Sequence, residues 1–131
     1  MIKYFIDKYR PSFVVLNHFV SIEYAQNTGG MYSLLENNNF IFIIVSALIL
    51  VSLYIIAFKM QKNNISKVEN VLLQLIFAGG ISNLIDRIFR GYVVDFVAMK
   101  PFGIFNISDA LIVVSVCVLL ARYIWKHKQV S

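Results

Sequence analysis

The chain has 131 residues, of which 59% are hydrophobic and 15% charged, with a formal net charge of +5. So little charge excludes an ordinary soluble domain of this length and points to one membrane-embedded domain. The basic excess does not indicate nucleic acid: Lys59, Lys62, Lys67, Arg122, Lys126 and Lys128 sit in two short clusters flanking apolar runs, which membrane orientation explains.

Residues 1–10 carry Lys3, Asp7, Lys8 and Arg10. They hold no long apolar run and no small-residue cleavage site, so no signal peptide is read there. Residues 13–16 and 19–22 are short, β-branched and aromatic, and predict strands. Asn27-Thr28-Gly29-Gly30 is a turn signal. Glu36, Asn37, Asn38 and Asn39 form a polar boundary. Residues 1–39 together read as a small external β-rich segment.

Residues 40–58 then run for 19 positions without a charge, and a bilayer core needs roughly 20 helical residues. Residues 68–89 carry a helical stripe (Val68, Val71, Leu72, Leu75, Ile76) and turn polar in their second half. Residues 90–103 hold Gly91, Pro101 and Gly103, so they predict a loop with an extended piece over 92–97. A third span is predicted over 104–124. The fold class is therefore an all-α integral membrane helical bundle with a small β-rich segment, in a single domain over 1–131. Two spans separate the basic clusters, which places both on the cytoplasmic side and the first segment outside.

Polar residues concentrate between 79 and 109. Asp86 is 18 residues beyond Val68, about 27 Å along a helix. Asp109 is 13 residues before Arg122, about 20 Å above the inner surface. With Asp95 in the connecting loop, three carboxylates gather near the outer leaflet. Ionisable groups at such depth cost several kcal/mol and mark functional sites.

Gly79, Asn83, Asp86 and Arg87 share one helix face. An Asp86–Arg87 structural pair and a close-packing glycine explain them without chemistry. Asn106 and Asp109 lie at a helix start, where capping suits Asn106 and serves Asp109 poorly. Asp95, among Val93, Val94, Phe96 and Val97, reads equally as a desolvated acid or a surface turn residue. Two close aspartates share one proton, so one acts as base on a water and the other as acid. The same residues suit a proton relay. Cys117 lies inside an apolar run, far in sequence from His18 and His127, and gives neither a nucleophile nor a zinc pattern. No metal or cofactor is expected.

Three motifs, taken in order, resemble the bacterial lipoprotein signal peptidases (signal peptidase II). The first is Asn27-Thr28-Gly29-Gly30-Met31-Tyr32-Ser33. The second is Gly79-Gly80-Ile81-Ser82-Asn83-Leu84-Ile85-Asp86-Arg87 with Gly91-Tyr92-Val93-Val94-Asp95-Phe96. The third is Phe105-Asn106-Ile107-Ser108-Asp109. Ser82 and Ser108 stand where the family favours Gly and Ala, and Gly30-Met31 where it favours Ala-Ala. The resemblance implies an aspartic endopeptidase of the bacterial inner membrane, its active site towards the external face. Its expected substrates are diacylglyceryl-modified prolipoproteins, cut just before the lipidated cysteine, with membrane lipids and globomycin-type inhibitors as further partners. It implies a catalytic dyad of Asp95 and Asp109. Asn27, Gly79, Asn83, Asp86, Arg87 and Asn106 are implied as substrate-binding or site-shaping residues. It also implies four transmembrane helices, the first ending in an Asp-Gln-x-x-Lys pattern, and this chain starts near that lysine, Lys3. The alternative expectation is an inactive truncated paralogue or a small transport subunit with an Asp/Asn relay.

Overall fold

The computed structural model describes residues 1–16, 19–29, 39–62 and 65–128. Residues 30–33 of the Asn27 motif, the polar boundary at 36–38 and His18 lie outside the described residues.

The chain opens with an eight-residue helix, α1 (Ile2–Tyr9). The segment over 1–39, expected to be β-rich, thus also carries a helix that was not predicted. Ile2, Ile6 and Tyr9 recur at helical spacing and Ile6 is buried, so packing of one face decides the conformation. Arg10 closes the helix in the left-handed region (φ 45°), its N–H bonded to Ile6 O.

Strands β1 (Phe13–Leu16) and β2 (Val20–Asn27) follow. They join β3 (Val93–Met99) and β4 (Gly103–Phe105) in one antiparallel sheet of order β1-β2-β3-β4. The predicted extended piece at 92–97 is thus a full interior strand. Val93, Val94, Asp95 and Phe96 are all buried, because β3 is flanked by strands on both sides and Ile6 of α1 packs against Val94 and Phe96.

Three helices are long and apolar enough to cross a membrane among the described residues: α2 (Asn39–Lys62), α3 (Lys67–Arg90) and α4 (Ile107–Lys128). α2 is apolar all round and its most hydrophobic window buries nothing inside the protein, as expected of a lipid-facing span. α3 is the centre of the bundle. Ser66 and Glu69 form a capping box at its start, and Gly91 (φ 81°) ends it. Its two central glycines face opposite neighbours. A Cβ at Gly79 would lie 2.7 Å from Ser108 O in α4, and one at Gly80 would lie 2.7 Å from Leu50 Cδ2 in α2. Small residues let helices approach where lipid supplies no hydrophobic drive.

The third span begins at Ile107, not at 104 as the apolar run suggested. Ile104 and Phe105 are taken into β4 by pairing with Ala98 and Val97. Asn106 then makes the break. Its Oδ1 accepts from Ser108 N (2.7 Å) and Asp109 N (3.3 Å), as an N-cap does.

Candidate active site

The corner from β3 through β4 into α4 sets two carboxylates beside one asparagine. Asn106 Nδ2 donates to Asp95 Oδ1 at 2.7 Å, and its backbone N–H donates to Asp109 Oδ2 at 3.1 Å. The second bond completes a reciprocal capping box with the one that Asn106 Oδ1 accepts from Asp109 N. Asp109 therefore has the capping role that its apolar sequence context concealed. One of its oxygens is spent on the cap and the other is free for a second partner.

That partner comes from α3. Asn83 Nδ2 donates to Asp109 Oδ1 at 2.7 Å. Asp95 Oδ2 accepts from Asn27 Nδ2 at 2.9 Å, across the β2–β3 pairing. Asn27 also turns its own loop, because its Oδ1 accepts from Gly29 N at 3.0 Å. Asp95, Asp109, Asn106, Asn83 and Asn27 are thus joined directly, and Gly79 permits the α3–α4 approach that the Asn83–Asp109 bond requires. Asp95 is 2% exposed, which corrects the surface-turn alternative. Burial pushes its carboxyl above the ordinary range and the nearby Asp109 charge adds to this; the amides of Asn106 and Asn27 and the Lys3 charge act against it.

Asp86 and Arg87 do not pair. Neighbours at i, i+1 on a helix point in different directions, whereas i, i+4 residues meet. Asp86 accordingly takes Arg90 Nη1 at 2.6 Å on one oxygen and lies 2.8 Å from Lys3 Nζ on the other. Arg87 is turned towards α2. Its guanidinium lies 5.7 Å from the centre of the Phe42 ring, its carbonyl accepts from Asn39 Nδ2 at 2.9 Å, and its Nε is buried without a hydrogen-bond partner. It still faces the electrostatic field of Asp109, Asp95 and Asp86.

Sequence reasoning missed a second group of polar residues around α1. Lys3 Nζ donates to Asn83 Oδ1 at 2.7 Å. Arg90 Nε lies 3.7 Å from Asp7 Oδ2, and Asp7 Oδ1 accepts from Tyr24 OH at 2.7 Å and Tyr92 OH at 3.2 Å. Burial and the bond to Asp7 push the Tyr24 hydroxyl up to about 12. Lys3 had a signal in the motif that placed it at the start of the chain; Asp7, Tyr24 and Tyr92 had none, because their contact depends on the sheet.

Asp109 also borders an apolar pocket of about 400 Å³, lined with it by Met99, Phe102, Phe105, Ala110, Val113 and Val114. Phe102, Val113 and Val114 are exposed. Among the described residues no three His, Cys, Asp or Glu side chains gather as metal ligands.

A family model described as signal peptidase (SPase) II matches residues 1–125. A lipoprotein signal peptidase of Caldanaerobacter subterraneus subsp. tengcongensis is 35% identical over 128 residues, 95% of this chain and 86% of the relative. One from Caldicellulosiruptor bescii is 38% identical over 117 residues, 89% of this chain and 73% of the relative. A solved bacterial membrane enzyme is 30% identical with a TM-score of 0.82, covering 98% of this chain and 81% of that one. These matches do not favour the transport-subunit alternative. With three helices fit to cross a membrane, they give one conclusion: the chain is a multi-pass membrane protein and belongs to the signal peptidase II family of peptidases.

Proposed function

We propose that this protein is an aspartic endopeptidase whose dyad is Asp95 and Asp109, and that it removes signal peptides from diacylglyceryl-modified prolipoproteins. The observation that carries the reading is the shared asparagine. Asn106 bonds both carboxylates through two different N–H groups, which supports a fixed pair rather than two separate structural acids.

The chemistry follows from one proton held between the two groups. The ionised carboxylate takes a proton from a water as its oxygen attacks the scissile carbonyl carbon. The protonated carboxyl gives its proton to the carbonyl oxygen, forming a tetrahedral diol. As the C–N bond breaks, the first group returns its proton to the leaving nitrogen and the second regains one from the diol. Proton number balances over the cycle, and each group ends as it began.

Asn27, Asn83 and Asn106 hold the acids, and Gly79 sets the helix spacing. Asp86 anchors the neighbouring cations. Arg87, packed against Phe42 with its Nε buried, shapes the α2–α3 side of the site. The apolar pocket beside Asp109 suits the hydrocarbon of a lipid-modified substrate entering from the bilayer. By the positive-inside rule Lys59, Lys62, Lys67, Arg122, Lys126 and Lys128 lie in the cytoplasm, so the sheet and dyad face outward across the inner membrane. The whole chain, 1–131, then acts as one membrane-embedded peptidase unit, and membrane lipids surround it. Globomycin-type cyclic peptides would occupy the same site and raise the thermal midpoint by mass action.

The test is mass spectrometry of a lipidated prolipoprotein incubated with the purified protein in lipid. The reading requires a single cut, immediately before the lipidated cysteine. Cuts elsewhere, or cuts equally efficient in unlipidated substrate, would contradict it.

A further inference from the structure

Lys3 is tied into the site from outside the bundle. It projects from α1, its side chain is 13% exposed, and Asn83 lies 80 positions away in sequence. A lysine ammonium carries donors only, so the Asn83 atom that faces it at 2.7 Å has to be the amide oxygen. The NH₂ end of the same amide then points the other way, where it meets Asp109 Oδ1 at 2.7 Å. Turned over, the amide would set its oxygen against a carboxylate oxygen and its NH₂ against an ammonium, and both contacts would repel.

We propose that Lys3 is a positioning residue for the peptidase reaction: through Asn83 it fixes the amide orientation that holds Asp109 in place. The inference rests on the Asp95–Asp109 dyad reading. Asp109 has two oxygens and two neutral holders, Asn106 N–H on Oδ2 and Asn83 on Oδ1. The first is backbone and cannot turn. The second is a side chain whose sense is set from its far end by the cation. Asp86 keeps the ammonium where Asn83 needs it, and Arg90 in turn neutralises Asp86. Asp7 receives Arg90, Tyr24 and Tyr92 at the other end of α1, so the helix is fixed at two points and Lys3 has little freedom to withdraw. A purely structural Lys3–Asp86 pair would account for the second contact but leaves the Asn83 bond without a purpose.

The test separates the ammonium from the packing of α1. Cys117 is the sole cysteine and is exposed, so a Cys117→Ser background gives a silent host. In it, Lys3→Cys is introduced into the full chain, reconstituted in lipid, and then aminoethylated with 2-bromoethylamine to return an ammonium at nearly the original reach. Lys3→Cys is expected to lower kcat by about 10- to 100-fold with KM nearly unchanged, since misplacement of a reacting group by ~1 Å costs about that much. Aminoethylation restores most of kcat. Lys3→Arg and Lys3→Met provide a second comparison if the cysteine variant folds poorly, the former keeping clearly more kcat at a matched thermal midpoint. Wild-type kcat in Lys3→Cys, or aminoethylation that recovers the thermal midpoint but not kcat, overturns the inference and leaves the dyad standing. Cleavage that persists in Asp95→Asn and Asp109→Asn overturns the dyad reading itself, and the inference with it.

Discussion

Asn106 Nδ2 stands 2.7 Å from Asp95 Oδ1. The asparagine is the N-cap of α4 and the aspartate the third residue of β3. One hydrogen bond therefore ties the start of α4 to the sheet, at the residue that bonds both carboxylates. Replacing Asn106 with Leu removes this donor and the N-cap of α4 together. The expected cost is about 1–2 kcal/mol from the cap, plus loss of cleavage. Thermal denaturation in detergent and a processing assay read the two effects separately.

The Asp95 carboxyl has its pKa raised, with burial the largest cause. A group that is harder to ionise in the folded state than in the unfolded one stabilises the fold below its unfolded pKa, about 3.9 for Asp. That contribution is lost as pH rises through the folded value. Wild type is therefore expected to lose thermal stability relative to Asp95→Asn as pH climbs across this window. On the proposed dyad reading, kcat/KM is also expected to fall on the alkaline side of a bell-shaped profile. Parallel midpoints for the two proteins at every pH would refute the assignment of burial to Asp95.

Asp86 is 5% exposed and lies between Lys3 and Arg90. Asp86→Ala would leave two cations without their carboxylate. Breaking a buried pair from one side costs about 3–5 kcal/mol, so folded yield and thermal midpoint should fall sharply. Arg87 has no carboxylate within ion-pair distance among the described residues, so Arg87→Met is expected to cost less stability. Equal losses in the two variants would restore the Asp86–Arg87 pairing that the helix geometry contradicts.

Gly79 and Gly80 give a directional contrast. The Cβ of Gly79→Ala would meet backbone, Ser108 O at 2.7 Å, and Ile112 Cγ1 at 2.8 Å. α3 and α4 must then separate, at a cost of about 1–3 kcal/mol, and Asn83 moves away from Asp109. Gly80→Ala meets only the end of the Leu50 side chain, with Cδ2 at 2.7 Å, which can rotate. Activity and thermal midpoint should drop for Gly79→Ala and change little for Gly80→Ala.

Much of this architecture was legible in the residues. Nineteen uncharged positions at 40–58 could be little else than a span, and β-branched runs at 13–16 and 19–22 became strands. Counting 1.5 Å per residue put Asp86 and Asp109 about 27 and 20 Å from the basic ends of their helices, towards the segment that holds Asp95. Three things were not legible. The eight residues of α1 are too few for a periodic signal to stand out. The start of α4 looked apolar from Ile104, because the pairing that takes Ile104 and Phe105 into β4 depends on β3. The partners of Asp86 were hidden too: one is four residues along its helix, but Lys3 arrives from 83 positions away in the numbering of the chain. Local pattern singled out the polar residues of α3 and α4, and tertiary contact decided which of them touch.

The central claim is that Asp95 and Asp109 are one catalytic unit. The most direct measurement is the cleavage rate of a diacylglyceryl-modified prolipoprotein by wild type, Asp95→Asn, Asp109→Asn and the double variant. Each should be purified in folded form, shown by an unchanged elution volume and a cooperative melt. Because the two groups act together, each single variant is expected to lose essentially all activity and the double variant to lose no more. Substantial cleavage by either folded single variant would contradict the account.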